Sequence, residues 1–262
     1  MPIELLSRLL RHRRAVVLGA LLIVIASAWG YLWLGAGIEM EMTDIGGGQM
    51  AGMPAVWDLP YAVLILVMWV VMMVAMMLPT AAPTVLLVTA LAGDHLVVPN
   101  LVPATALVFA SGYLLVWCGF SLVATLLQWG LDEVGLLSET MAFANSILAG
   151  TVLVAAGAYQ WTPLKDTCLT HCRSPTEFLA RHWHRGTLGM VRTGIRHGLF
   201  CLGCCWMLMT LLFVGGLMNL AWIGTIALFV LLEKTMPRGD WMARLTGLVL
   251  VIWGATMLVR MV

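Results

Sequence analysis

Seven apolar stretches, at about 15–36, 58–80, 102–128, 141–160, 198–218, 220–236 and 242–261, constrain this chain more than any other feature. A helix needs roughly 20 apolar residues to cross the hydrocarbon of a bilayer. Inside lipid every backbone polar group must be satisfied within the protein, which leaves helices or closed barrels. Runs of this length predict an all-α polytopic transmembrane helix bundle of about seven spans. The chain reads as a single integral membrane domain over 1–262, with its main cytoplasmic loop at 161–197. Composition agrees, since only 10% of the 262 residues are charged, 61% are hydrophobic and the mean hydropathy is +0.97. A soluble domain carries about a quarter charged residues. A soluble enzyme, a disordered chain and a fibre are excluded.

The first run follows Arg11, Arg13 and Arg14 and has the shape of a signal-peptide core. It is long and lacks a small-residue cleavage site, so it reads as an uncleaved span. The second continues past Pro79 and Pro83 to about Ala92, too far for one straight crossing. The two prolines are expected to kink that helix or to break it. The sixth run is short and ends in Glu233-Lys234, where two readings stand side by side. The charges either work at membrane depth or snorkel to water. Tyr159-Gln160 and Asn219, near helix ends, are expected to hydrogen-bond between helices. Trp57, Trp129, Trp161 and Trp241 read as an interfacial aromatic belt.

Lys and Arg favour the cytoplasmic side. With the N-terminus inside, 13 of the 14 basic residues fall on inner segments and Arg260 alone lies outside. The two main outer loops hold acidic residues and no Lys or Arg. This arrangement gives a cytoplasmic N-terminus and an outer C-terminus.

The chemistry-bearing residues gather on the inner side. Thr162-Pro163 is a helix start, with a Thr cap and Pro at the first helical position. The helix it opens should end at Cys172 or Arg173, placing Cys168 and Cys172 on one face. Ser174-Pro175-Thr176-Glu177 reads as a capping box that starts a second short helix on the membrane surface. The chain then enters the membrane through His197, Cys201, Cys204 and Cys205, which share a helical stripe. With His171 these form a set of soft donors on adjoining segments, suited to Cu(I) or Zn(II). Cys118 stands apart from the cluster and reads as a small apolar residue.

The methionines bear on the choice of metal. Met68, Met72 and Met76 recur every four residues in the second span, with Met73 and Met77 beside them. Met40, Met42, Met50 and Met53 lie among acids in the outer loop. Thioethers bind Cu(I) and serve Zn(II) poorly, so these methionines trace a candidate soft-metal path. Methionine also packs well between helices, the plain reading of the span-two stripe. The chain has no phosphate-binding glycine motif, serine-nucleophile motif or CxxCH haem attachment. An ATP-driven pump in one chain is excluded, and no enzyme class or nucleic-acid partner is indicated.

Four stretches carry a resemblance: WVVMMVAMMLPTAAP (69–83), AGAYQWTPLKDTCLTHCRSP (156–175), GLFCLGCCWMLM (198–209) and GGLMNLAWIGTIALFVLLEK (215–234). Together they resemble a bacterial family of predicted metal-binding integral membrane proteins, over about residues 55–235. The resemblance implies a bacterial inner-membrane location and metal binding by Cys168, Cys172, Cys201, Cys204 and Cys205. The leading expectation is an integral membrane protein that handles or delivers copper, partnered by the lipid bilayer and by a copper carrier or membrane complex. The alternatives are an accessory subunit of a copper oxidase or oxygenase complex, and a thiol–disulfide electron relay.

Overall fold

A computed structural model describes residues 2–35, 57–95, 102–138, 140–184 and 186–260. Met40, Met42, Met50 and Met53 lie outside these residues. The described residues are helical throughout, and their one β feature is an isolated bridge between Leu137 and Phe143. The helices are α1 (Pro2–Trp33), α2 (Leu59–His95), α3 (Val102–Glu133), α4 (Ser146–Tyr159), α5 (Pro163–Arg173), α6 (Pro175–His182), α7 (Gly186–Thr210), α8 (Leu212–Gly215), α9 (Leu220–Thr235) and α10 (Gly239–Val259).

Among the described residues, five segments are long and apolar enough to cross a membrane: Arg14–Trp33, Leu59–Ala92, Ala104–Glu133, Gly186–Gly215 and Gly239–Val259. A sixth arises if α4 and α5, bent by 65° at their junction, count as one broken span. By length and composition, the described residues do not reach the expected count of about seven. The sequence runs at 141–160 and 220–236 yield helices of 14 and 16 residues. At about 1.5 Å per residue neither matches a bilayer core of about 30 Å. The expected loop at 161–197 is also mostly helix, because α7 begins at Gly186 and runs without interruption into its apolar half.

α2 stays helical through Pro79 and Pro83 for 37 residues, so the prolines do not break it. Near them, Thr80 Oγ1 and Tyr113 OH both donate to Met77 O, at 2.8 and 3.0 Å.

Glycines set the closest helix contacts. On α7, Gly194 and Gly198 lie one turn apart against α3. A Cβ at Gly194 would stand 2.1 Å from Phe109 O, and one at Gly112 of α3 would stand 2.3 Å from Val191 O. Small residues with this spacing let helix backbones approach, here locking α7 to α3 just before Cys201. A second seam joins α4 to α10, where a Cβ at Gly157 would meet Gly247 O at 2.7 Å and one at Gly254 would meet Gly150 O at 2.6 Å.

The local start of α5 is as expected: Thr162 accepts from Lys165 N–H at 3.3 Å and Pro163 takes the first position. The capping box is not formed. Ser174 also closes α5, its N–H bonding Thr170 O, and its side chain makes no cap bond. Glu177 instead pairs with Arg181 one turn on, at 2.6 Å. Of the expected interhelical bonds, Tyr159 makes one, donating to Gly203 O of α7 at 2.5 Å. Asn219 caps its own helix, accepting from Trp222 N–H at 3.1 Å. Gln160 is buried, and its amide has no hydrogen-bond partner among the described residues. Trp129, Trp161 and Trp241 are about half exposed or more, in keeping with an interfacial role.

Candidate metal centre

The centre is built where α7 passes between α2, α3, α5 and α9. The stripe on α7 faces inward as its spacing requires, with His197, Cys201, Cys204 and Cys205 all buried. Gly203 lies under α5. A Cβ there would come within 2.6 Å of Cys168 Sγ, so the glycine lets the CLTHC helix settle onto the α7 thiols. Tyr159, bonded to Gly203 O, ties the end of α4 to the same turn.

Two sulfur pairs result. Cys172 Sγ of α5 and Cys204 Sγ of α7 are 4.0 Å apart, so the two cysteine groups do meet in space. Cys205 Sγ and the Met77 thioether of α2 are also 4.0 Å apart. Sulfurs ~2.3 Å from a shared metal stand at most ~4.6 Å from each other, so both pairs are within ligand range. Cys204 and Cys205 Sγ also donate to Cys201 O, at 3.0 and 2.9 Å, which fixes their rotamers. Cys172 is half-buried and Cys168, Cys201, Cys204 and Cys205 are buried, making Cys172 the exposed edge of the cluster. All six cysteines are free thiols, and Cys118 faces outward on α3.

Cys201 has partners that the motifs did not announce. Lys234 of α9 reaches in, its Nζ 2.8 Å from Cys201 Sγ, 3.9 Å from Cys205 Sγ and 3.4 Å from Thr80 Oγ1. Tyr113 OH lies 3.0 Å from the same Cys201 sulfur. Lys234 is 7% exposed and its neighbour Glu233 is 0% exposed, so neither snorkels. Glu233 forms a buried ion pair with Lys165 of α5, at 2.6 Å. Arg173 closes the same end of the bundle, pairing with Asp240 and donating to Met236 O at 2.9 Å. Sequence reasoning singled out Glu233-Lys234 as charges near membrane depth but had no means of aiming them. Met77 belonged to the neighbouring methionine stripe of the second span, and Tyr113 carried no distinguishing signal.

Other sequence candidates are placed elsewhere. His197 is packed by the rings of Phe178, Tyr113 and Phe109, with centroids at 5.0, 5.7 and 5.8 Å. His171 stacks on Phe200 at 4.3 Å, and its Nδ1 is 2.8 Å from Thr167 O. Both histidines pack against rings, and His197 Nδ1, one turn from Cys201, is buried without a hydrogen-bond partner among the described residues. Met68, Met72 and Met76 are buried core residues. Among the described residues, no three His, Cys, Asp or Glu side chains form a preassembled metal-ion site. Two sulfur–sulfur separations of 4.0 Å are shown, one to a thioether, and the Cys201 thiol lies against Cys172, Cys204 and Cys205 as well.

A family model described as "Copper chaperone" (PpoB2) matches residues 66–257, from the methionine-rich half of α2 to the end of α10. The chain belongs to this family. The copper chaperone match covers every element of the sulfur cluster, and it names copper where the sequence resemblance named only a metal. No curated protein and no solved structure matches the chain.

Proposed function

We propose that this protein is an integral membrane copper chaperone that holds Cu(I) on the α5–α7 thiols and hands it to a partner. The observation that carries the reading is the 4.0 Å separation of Cys172 Sγ and Cys204 Sγ, on two different helices, in a chain of the copper chaperone family. Thiolates and thioethers select Cu(I), whereas structural Zn(II) asks for four N or S ligands. Paired sulfurs therefore favour copper as cargo over resident zinc. Cys172, at the exposed edge, is the exchange point, and Cys205 with Met77 offers a second, deeper pair. Met77 thus takes the part expected of Met68, Met72 and Met76. Met40 and Met42 remain candidates for outer capture.

The basic-residue bias supports a cytoplasmic N-terminus, an outer C-terminus and exchange at the inner face of a bacterial cytoplasmic membrane. In this arrangement α9 crosses as a short helix packed within the bundle.

Metal analysis of purified, reduced protein after Cu(I) loading tests the proposal. The wild-type protein is expected to retain copper against a chelator that strips Cys172→Ser/Cys204→Ser. Equal copper retention in both would overturn the assignment.

A further inference from the structure

We infer that the cavity between α5 and α10 binds the headgroup of an aminophospholipid, a phosphodiester joined to a primary ammonium. The inference goes beyond copper handling and does not depend on it.

The cavity, of about 230 Å3, lies at the elbow where α4 bends by 65° into α5. A bridging water needs only about 10–15 Å3, so a group of several heavy atoms has room. Four charged side chains line it, Lys165 and Asp166 from α5 and Asp240 and Arg244 from α10. Two of them are answered inside the protein, Lys165 by Glu233 and Asp240 by Arg173. The side chains of Asp166 and Arg244 have no ion-pair or hydrogen-bond partner among the described residues, and they do not pair with each other. An unanswered carboxylate and an unanswered guanidinium on one cavity suit a ligand that carries both charges. Gln160 is an independent sign. It lines the same cavity and is 5% exposed, and neither the oxygen nor the nitrogen of its carboxamide has a partner. A buried amide left unbonded is costly, and a ligand with both donors and acceptors removes that cost.

The two halves of the headgroup have separate partners. The primary ammonium donates N–H bonds to Asp166 and to the Gln160 oxygen. The phosphodiester takes the Arg244 guanidinium, whose fork suits phosphate oxygens. A quaternary ammonium has no N–H to give, so a choline headgroup forfeits the first half. Position favours a lipid over a free zwitterion. Trp161, half exposed, stands at the cavity in its interfacial role. Beyond Arg244, the exposed side chains of Leu245, Leu248 and Ile252 follow one face of α10, where an acyl chain can lie.

The test is native mass spectrometry of the full-length protein, released from detergent with equal amounts of phosphatidylethanolamine and phosphatidylcholine of the same acyl chains. Wild-type protein should retain phosphatidylethanolamine over phosphatidylcholine by about tenfold, the effect of one hydrogen bond to a charged group. Asp166→Ala should bring that ratio below about twofold. Arg244→Gln should weaken both lipids and keep the ratio, because both carry the phosphodiester. Asp166 and Arg244 are exposed, so neither change threatens the fold. Glycerophosphoethanolamine, the same headgroup without chains, should fail to displace the lipid at equal concentration. Equal retention of the two lipids by wild-type protein, an unchanged ratio in Asp166→Ala, or displacement by the free headgroup would each overturn the inference. The wild-type ratio should persist in Cys172→Ser/Cys204→Ser, so failure of the copper reading in that variant leaves this inference standing.

Discussion

Breaking the Lys165–Glu233 pair should destabilise the bundle more than removing it altogether. The two groups are 2.6 Å apart at 1% and 0% side-chain exposure, and they join α5 to α9 at the end that carries the thiols. Coulomb's law at an effective dielectric of about 20 gives roughly 6 kcal/mol of gross attraction at this distance. Desolvation of the two ions offsets much of it, so the net worth of the pair against apolar replacements is near zero. The asymmetry is the useful quantity. Glu233→Leu leaves the Lys165 ammonium buried alone and should cost about 3–5 kcal/mol, whereas Lys165→Met/Glu233→Leu should recover most of that. The coupling energy from the double-mutant cycle is then expected to be at least ~2 kcal/mol. The assay is reversible unfolding of purified protein in mixed micelles, followed by helical circular dichroism. Additive single and double effects would refute the reasoning, because they would mean that each charge has another partner or water.

Further outcomes follow from the packing. Gly194→Ala should destabilise the fold strongly in the same assay, since its Cβ would lie 2.1 Å from Phe109 O; Gly119→Ala on α3, with nothing within 4 Å, should be neutral or stabilising by up to ~1 kcal/mol. Gly157→Leu should open the α4–α10 seam, where Gly247 O already lies 2.7 Å from a Cβ position, and accelerate proteolysis between α4 and α5. Removing the deeper sulfur with Met77→Leu should keep the fold, because the volume is conserved, and should speed copper release to a chelator severalfold; an unchanged off-rate would remove Met77 from the site. Reporter fusions at the two termini should report opposite sides of the membrane, and a shared side would show that either α9 or the bent α4–α5 pair does not cross.

Much of this architecture was legible in the chain because the rules that govern it are local. Apolar runs of ~20 residues imply helices in lipid. Thr162-Pro163 marks the start of α5, and the spacing of Cys201, Cys204 and Cys205 places them on the inward face of α7. That the CLTHC and CLGCC groups meet was also foreseeable, since the chain between them leaves and returns to one side. Helical period is a property of a segment, so sequence sufficed.

The tertiary structure decided what depends on two segments at once. Cys172 rather than Cys168 is shown in sulfur contact with Cys204, because α5 is turned 65° from α4 and rests on Gly203. Met77 rather than Met68, Met72 or Met76 reaches a thiol, because the rotation of α2 against α7 selects one methionine of two interleaved stripes. His197 and His171 pack against aromatic rings although both lie in or beside the cysteine motifs, whereas Lys234, 29 residues beyond Cys205, turned inward to Cys201. The direction a side chain points relative to another helix is fixed by where glycines let backbones touch and by which charges find partners away from water. A single segment's sequence encodes its own faces, and the assembled bundle chooses what each face meets.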